Sequence, residues 1–178
     1  MPFEFVELEI KGVYKIKPKA FGDGRGYFAE TYKSSDFQSA GLSVNLRQDN
    51  QSFSVKGTLR GLHFQKKPYA QGKLVRVVKG KIFDVGVDLR QNSKTYGQYI
   101  SAILSGENME MLWIPEGFAH GFQALEDSIV LYKTTSEYNK ESESGVIWND
   151  PDIKVQWPDK PTELSEKDKS WPRLSELK

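Results

Sequence analysis

The chain has 178 residues and a formal net charge of +1, which suits one domain with a full core and gives no bias toward nucleic acid or membrane surfaces. It contains no cysteine, which excludes disulfides, thiol nucleophiles and Cys-based zinc sites and fits a reducing compartment. No stretch approaches the roughly 20 apolar residues of a membrane helix and the amino terminus lacks a signal-like apolar run, so a soluble, cytoplasmic protein is expected. From the amino terminus, Phe3, Phe5 and residues 8–10 alternate with glutamates, the period-2 pattern of a half-buried strand. A second short strand is expected from Val13 to Ile16, stopped by Pro18. Residues 21–30 hold glycines at 22, 24 and 26 and read as a turn, in which Arg25 and Glu30 bracket two aromatics. Residues 34–41 suit a short helix with serine as cap and Gly41 past its end.

Between residues 42 and 138, short apolar-alternating runs recur between turn residues, an all-β pattern. Residues 73–79 and 81–89 read as a tight hairpin across Gly80, with Phe83, Val85, Val87 and Leu89 on one face and Ile82, Asp84, Gly86 and Asp88 on the other. Further strands are expected at 96–104, 110–114, 118–125 and 129–138. Many short strands without long helical patterns predict a sandwich or barrel. A polar loop and a Pro-rich coil follow, then a helical turn from Ser165, with Asp168 three residues on. No repeat, linker or second domain interrupts residues 1–178.

The two histidines are the scarce chemical resource. His63 lies in GTLRGLHFQ (57–65) and His120 in IPEGFAHG (114–121), both apolar strands broken by Gly or Pro. A lone histidine in such a strand is usually packed core; two in matching settings point to one shared pocket. A neutral imidazole is a ready base, with an unperturbed pKa of about 6.5. Arg60 offers a planar donor fork for a carboxylate or phosphate. On a regular strand Arg60 and His63 face opposite sides, so a common pocket requires a bend or bulge at Gly61.

Gly57 followed by His63 resembles the opening of the first cupin motif, and Pro115, Gly117 and His120 resemble the heart of the second. A fuller set, DGRGYFAE (23–30), QDN (48–50), LRGLHFQ (59–65), QGKLVR (71–76), FDVGVDLR (83–90), IPEGFAHGF (114–122) and SEKD (165–168), keeps its order along nearly the whole chain. In these motifs the chain resembles the dTDP-4-dehydrorhamnose 3,5-epimerases. The resemblance implies an all-β, cupin-type jelly-roll barrel with short peripheral helices. Metal cupins use two histidines and a carboxylate in the first motif and a third histidine in the second. Here Gln65 takes the second histidine position and no glutamate follows, so a pocket without metal or cofactor is expected.

The implied substrate is dTDP-4-dehydro-6-deoxy-D-glucose, whose protons at carbons 3 and 5 flank the 4-ketone. Inversion to dTDP-4-dehydro-L-rhamnose, a step in dTDP-L-rhamnose biosynthesis, needs a base on one face, an acid on the other and a donor for the oxyanion. By resemblance His63 is the base, Tyr132 the opposite acid, Lys73 the cation at the ketone oxygen, and Asp168 the carboxylate orienting His63. Asp84 is a rival for that last role. Arg25 and Arg60 would meet the diphosphate, Tyr138 would stack on thymine, and Gln48, Asn50 and Glu30 would contact base and sugar. His120 would also bind substrate, with Glu143 and Lys167 as outer contacts. Tyr138 shares parity with Tyr132 and would lie up to about 20 Å away on a straight strand. A homodimer is expected, with the 3–10 strand adding to a neighbour and residues 25–30 reaching the partner's pocket. Two other readings stand beside this one: an epimerase of one carbon only, and a non-catalytic sugar-nucleotide-binding cupin. The latter has no need for His63, Lys73 and Tyr132 together. A metal-dependent oxygenase is the weakest reading, for lack of ligands.

Overall fold

The computed structural model describes residues 2–177. Strands β1 (Phe3–Glu7), β2 (Tyr14–Pro18), β3 (Ala20–Asp23) and β4 (Gly26–Ala29) precede the short helix α1 (Ser34–Ser39). Next come β5 (Gln48–Ser54), β6 (Leu59–Gln65), β7 (Lys73–Lys79) and β8 (Lys81–Asp88). They are followed by β9 (Tyr99–Ser105), β10 (Met111–Ile114), β11 (Phe118–Ala124) and β12 (Ser128–Thr134). β13 (Glu143–Gly145), helix α2 (Glu166–Ser170) and a 3-10 turn at Leu174–Glu176 complete the series.

Two antiparallel sheets carry the fold, one in the order β1-β2-β10-β7-β12-β5 and one in the order β13-β6-β11-β8-β9, while β3 and β4 form a separate hairpin. The core lies between the sheets. Val75, Val77, Leu112, Ile114 and Val130 from the first meet Ile82, Ile100, Leu104, Phe118 and Phe122 from the second in one buried cluster. Alternation along β8 sends Ile82 inward, while Val85 and Val87 pack outward with Val146, Ile153 and Leu174 of the carboxyl-terminal segment. That segment is a strap over the second sheet. Leu59 N–H donates to Glu163 O at 2.9 Å, Ile147 N–H to Pro172 O at 2.9 Å, and Leu174 N–H to Asp150 Oδ2 at 2.8 Å.

Several expectations are corrected. Residues 73–79 and 81–88 do not form a hairpin, because β7 pairs with β10 and β12 while β8 pairs with β11 and β9. At Gly80 the chain steps from one sheet to the other, at φ +80 and so close to Asp127 O that a Cβ would lie 2.3 Å from it. Both strands alternate in the same way, so the pattern identifies two strands without their partners. The first strand ends at Glu7, whose carboxylate accepts from Gly12 N–H at 2.8 Å and closes a turn. Helix α1 is preceded by Lys33 without a side-chain cap, while Gly41 follows its end at φ +85. β12 stops at Thr134, whose hydroxyl donates to Ser136 O at 2.8 Å, so Tyr138 lies beyond the strand in a turn. Among the described residues no helix is long and apolar enough to cross a membrane.

Candidate active site

The pocket begins with an irregularity in β6. Arg60 pairs with Phe122 and His63 with His120, so three residue steps on β6 span two on β11. The extra residue restores Arg60 and His63 to one side, the bulge that their shared pocket requires. Gly61 occupies it at φ +130, where a Cβ would meet Gly121 Cα at 2.5 Å and His120 O at 2.9 Å. Glycine is the residue that fits both the dihedral and the space.

A cleft of about 620 Å³ opens here, with Arg60, His63, Lys73, His120, Tyr132 and Asp168 in its walls. A second cleft of about 340 Å³ shares His63, Lys73 and Tyr132 and adds Gln48, Asn50, Tyr138 and Glu143. The shared residues join the two into one trough, with the imidazole, the lysine and the phenol at its middle.

His63 Nε2–H donates to Asp168 Oδ1. Asp168 serves two purposes: its backbone N–H donates to the Ser165 cap hydroxyl at 3.1 Å while its side chain reaches the imidazole. Burial pushes its carboxyl up, but the hydrogen bond and charge of His63 outweigh this and hold it below the usual range. Asp84 takes a different partner, accepting from His120 Nε2–H at 2.7 Å, which removes it as the rival orienter of His63. Its other oxygen, Oδ2, is buried without a hydrogen-bond partner among the described residues. Burial lowers the pKa of His120, against the pull of Asp84. Lys73 is buried at the start of β7, and desolvation brings its pKa down to about 8 although Asp84 and Glu143 oppose the shift. Burial raises the pKa of Tyr132, with Arg60 acting the other way.

The rim is a hydrogen-bonded chain. Lys167 Nζ lies 2.5 Å from Glu143, which accepts from Tyr138 Oη at 2.8 Å. Tyr138 N–H donates to Gln48 Oε1 at 2.8 Å, and Gln48 Nε2 donates to Asn50 Oδ1 at 2.7 Å. Arg60 stands at the other end, donating to Ser54 Oγ at 2.9 Å and Phe53 O at 3.1 Å. Gln65 is committed to structure. Its Nε2 donates to Tyr69 O and Glu137 O, and its Oε1 accepts from Asn139 N–H at 2.7 Å. Among the described residues no three histidines or carboxylates gather as metal ligands.

Two expected residues lie elsewhere. Arg25 sits at the tip of the β3–β4 hairpin, its side chain 90% exposed and paired with Asp23 at 2.5 Å. Glu30 follows that hairpin, and neither residue lines the trough of its own chain. Conversely, Trp171 packs its ring at 67° to His63, with centroids 5.9 Å apart, and was not anticipated. Its sequence signal is slight: an aromatic three residues after Asp168, followed by proline.

Two antiparallel sheets around one core, with a carboxylate-bonded imidazole, a buried lysine and a phenol in the mouth, define a cupin-type jelly roll with an acid–base pocket. The family model described as dTDP-4-dehydrorhamnose 3,5-epimerase matches residues 7–176. The dTDP-4-dehydrorhamnose 3,5-epimerase of Methanothermobacter thermautotrophicus is 52% identical over 179 residues, covering 98% of this chain and 96% of that protein. The dTDP-6-deoxy-D-glucose-3,5-epimerase of Legionella pneumophila, solved with dTDP-4-keto-L-rhamnose, matches at a TM-score of 0.95 and 41% identity, covering 99% and 95% of the two chains. The dTDP-4-dehydrorhamnose 3,5-epimerase of Sulfolobus tokodaii matches at 0.93 and 49% identity, covering 99% and 97%. The chain belongs to the dTDP-4-dehydrorhamnose 3,5-epimerase family.

Proposed function

We propose that the chain is an isomerase that inverts carbons 3 and 5 of dTDP-4-dehydro-6-deoxy-D-glucose, giving dTDP-4-dehydro-L-rhamnose, without metal or cofactor. The observation that carries this reading is the His63–Asp168 pair in one cleft with Lys73 and Tyr132. Ionised Asp168 accepts Nε2–H, which leaves the His63 Nδ1 lone pair as the base. It takes the proton from a carbon beside the ketone, and the electron pair moves onto the ketone oxygen as an enolate. Lys73 meets that oxygen as a cation, worth about 3 kcal/mol in such a role. Tyr132 delivers its hydroxyl proton to the opposite face of the same carbon. Solvent then reprotonates Tyr132 and takes the proton from His63, and the second carbon follows the same course. Arg60 faces the diphosphate, Tyr138 stacks on thymine, and Gln48, Asn50, Glu143, Lys167 and His120 hold the remainder.

The working form is a homodimer of single-domain chains spanning residues 1–178. Phe21, Tyr27 and Phe28 on the β3–β4 hairpin are 49%, 67% and 67% exposed, an apolar arm suited to a neighbour. β1 is an unpaired sheet edge of the kind that strand addition covers. Such an arm carries Arg25 and Glu30 into the partner's trough. A nucleotide sugar is a polyanion that does not cross a bilayer unaided, which places the enzyme in the cytoplasm with its substrate.

Incubation with the 4-keto sugar nucleotide in deuterated water, read by NMR, tests the function. Label at both carbons in an L-rhamno product is expected. Label at one carbon defines a single-carbon epimerase, and a bound nucleotide without any label defines a non-catalytic binder.

A further inference from the structure

We propose that Trp171 is a positioning residue for the His63–Asp168 pair, its ring edge fixing the imidazole and its Nε1–H serving the Asp168 oxygen that His63 leaves free. This deepens the epimerase reading and rests on it for the catalytic consequence.

The placement follows from the chain. Trp171 ends α2 and precedes Pro172, which favours the extended backbone observed there, φ −61 and ψ 147. The Pro172 carbonyl is then tied to Ile147 N–H. Between these restraints the indole lies flat on Gly145, where a Cβ would stand 2.5 Å from Cδ2 and 2.6 Å from Cε2. Gly145 pairs directly with His63 across β13 and β6, so the seat of the indole adjoins the base. Lys167 Nζ stands over the ring, 5.4 Å from its centroid.

Trp171 is absent from the walls of the trough, so it acts through the pair and not on substrate. Among the described residues no acceptor stands at full hydrogen-bond distance from its buried Nε1, and a buried donor is unfavourable unless an acceptor is close by. Asp168 is the neighbouring acceptor, and its carboxyl is stabilised by Trp171 as well as by His63 and Ser165. His63 Nε2 engages Oδ1, which leaves Oδ2 for the indole. A donor on Oδ2 draws charge from the carboxylate, so its removal would strengthen the carboxylate's hold on the imidazole N–H. The other charged or titratable groups in the walls around His63 are Arg60 on β6, Lys73 on β7, His120 on β11, Tyr132 on β12, Tyr138 after it, Glu143 on β13, Glu163 before α2 and Lys167 on α2.

The test uses Trp171→Phe, which keeps an aromatic edge and deletes the N–H. With only two histidines, the imidazole signals can be titrated by NMR, and His63→Asn assigns them. The His63 midpoint is expected to rise in Trp171→Phe while His120 is unchanged. The kcat for the sugar nucleotide should fall about tenfold with KM within about twofold. An unchanged midpoint, or an unchanged kcat, overturns the proposal and leaves Trp171 as packing. In the unaltered chain the Trp171 indole N–H signal should shift with the His63 midpoint, and a flat response overturns it without any variant. Both titrations are independent of turnover, so a chain inert toward the sugar nucleotide would refute the epimerase reading and leave this test standing.

Discussion

Lys73→Met should make the protein more stable and much less active. The lysine carries its charge in a buried place, and its pKa falls from 10.5 to about 8. A folded-state value below the unfolded one means that folding opposes the charge. At pH 7 the group is protonated in both states, so the whole penalty is expressed; it fades as pH rises from 8 to 10.5. At about 1.4 kcal/mol per pKa unit the penalty is about 3 kcal/mol. Methionine has similar reach, no charge and an adaptable chain, so it fills the site without a cavity. For a chain of this size about 3 kcal/mol raises Tm by roughly 6–12 °C. Turnover should fall about 10²–10³-fold, the usual loss when a donor to a developing oxyanion is removed. In the unaltered enzyme kcat/KM should decline above about pH 8, near tenfold per pH step, as Lys73 loses its proton. Thermal melts of both proteins from pH 6 to 11, with initial rates by NMR, decide the matter. A Lys73→Met protein less stable at pH 7, a stability gain that persists undiminished at pH 11, or retained turnover would refute the reasoning.

His63→Asn should abolish both inversion and deuterium wash-in, whereas Tyr132→Phe should slow inversion more than wash-in, since His63 can return a deuteron to the face it came from. Equal loss of the two rates in a folded Tyr132→Phe protein removes Tyr132 as the opposite-face acid. Arg25→Ala should raise KM about tenfold although Arg25 lies outside its own trough. Mixing Arg25→Ala with inactive His63→Asn should restore tight-substrate activity through hybrid dimers, and no gain on mixing argues against an exchanged arm. Exhaustive chelation should leave turnover intact; loss restored by one equivalent of a metal would overturn the metal-independent mechanism.

Local features were the most legible in the sequence. Scarcity drew His63 and His120 together, and the structure pairs them directly across β6 and β11. The parity conflict between Arg60 and His63 predicted the bulge at Gly61, since side-chain alternation is a property of one strand alone. The Ser165 cap and the two faces of β8 followed from equally short-range rules. Partnerships across the fold were less legible. An alternating strand does not name its neighbour, so Gly80 read as a hairpin where the chain changes sheets. Which carboxylate served which histidine depended on β8 and α2 approaching from different sides of the pocket. Tyr138 reaches the trough by a turn after Thr134, which parity along a strand does not describe. Trp171 carried only a slight signal, because its seat is the bare Gly145 of β13, which no local pattern connects to it.

Asp168 comes after every strand in the order of synthesis. A growing chain can therefore pair its strands while His63 still lacks Asp168 and the trough still lacks the wall that residues 163–168 supply. Until the strap is laid down, such a chain has neither a closed trough nor a partnered His63. The same holds in reverse for wear. A peptidase nibbling back past Leu174 would draw out the buried anchor of the strap and loosen Asp168, yet leave the sheet-to-sheet core untouched. Turnover would thus report on the wholeness of the polypeptide, while spectroscopic measures of β-structure would scarcely register the injury.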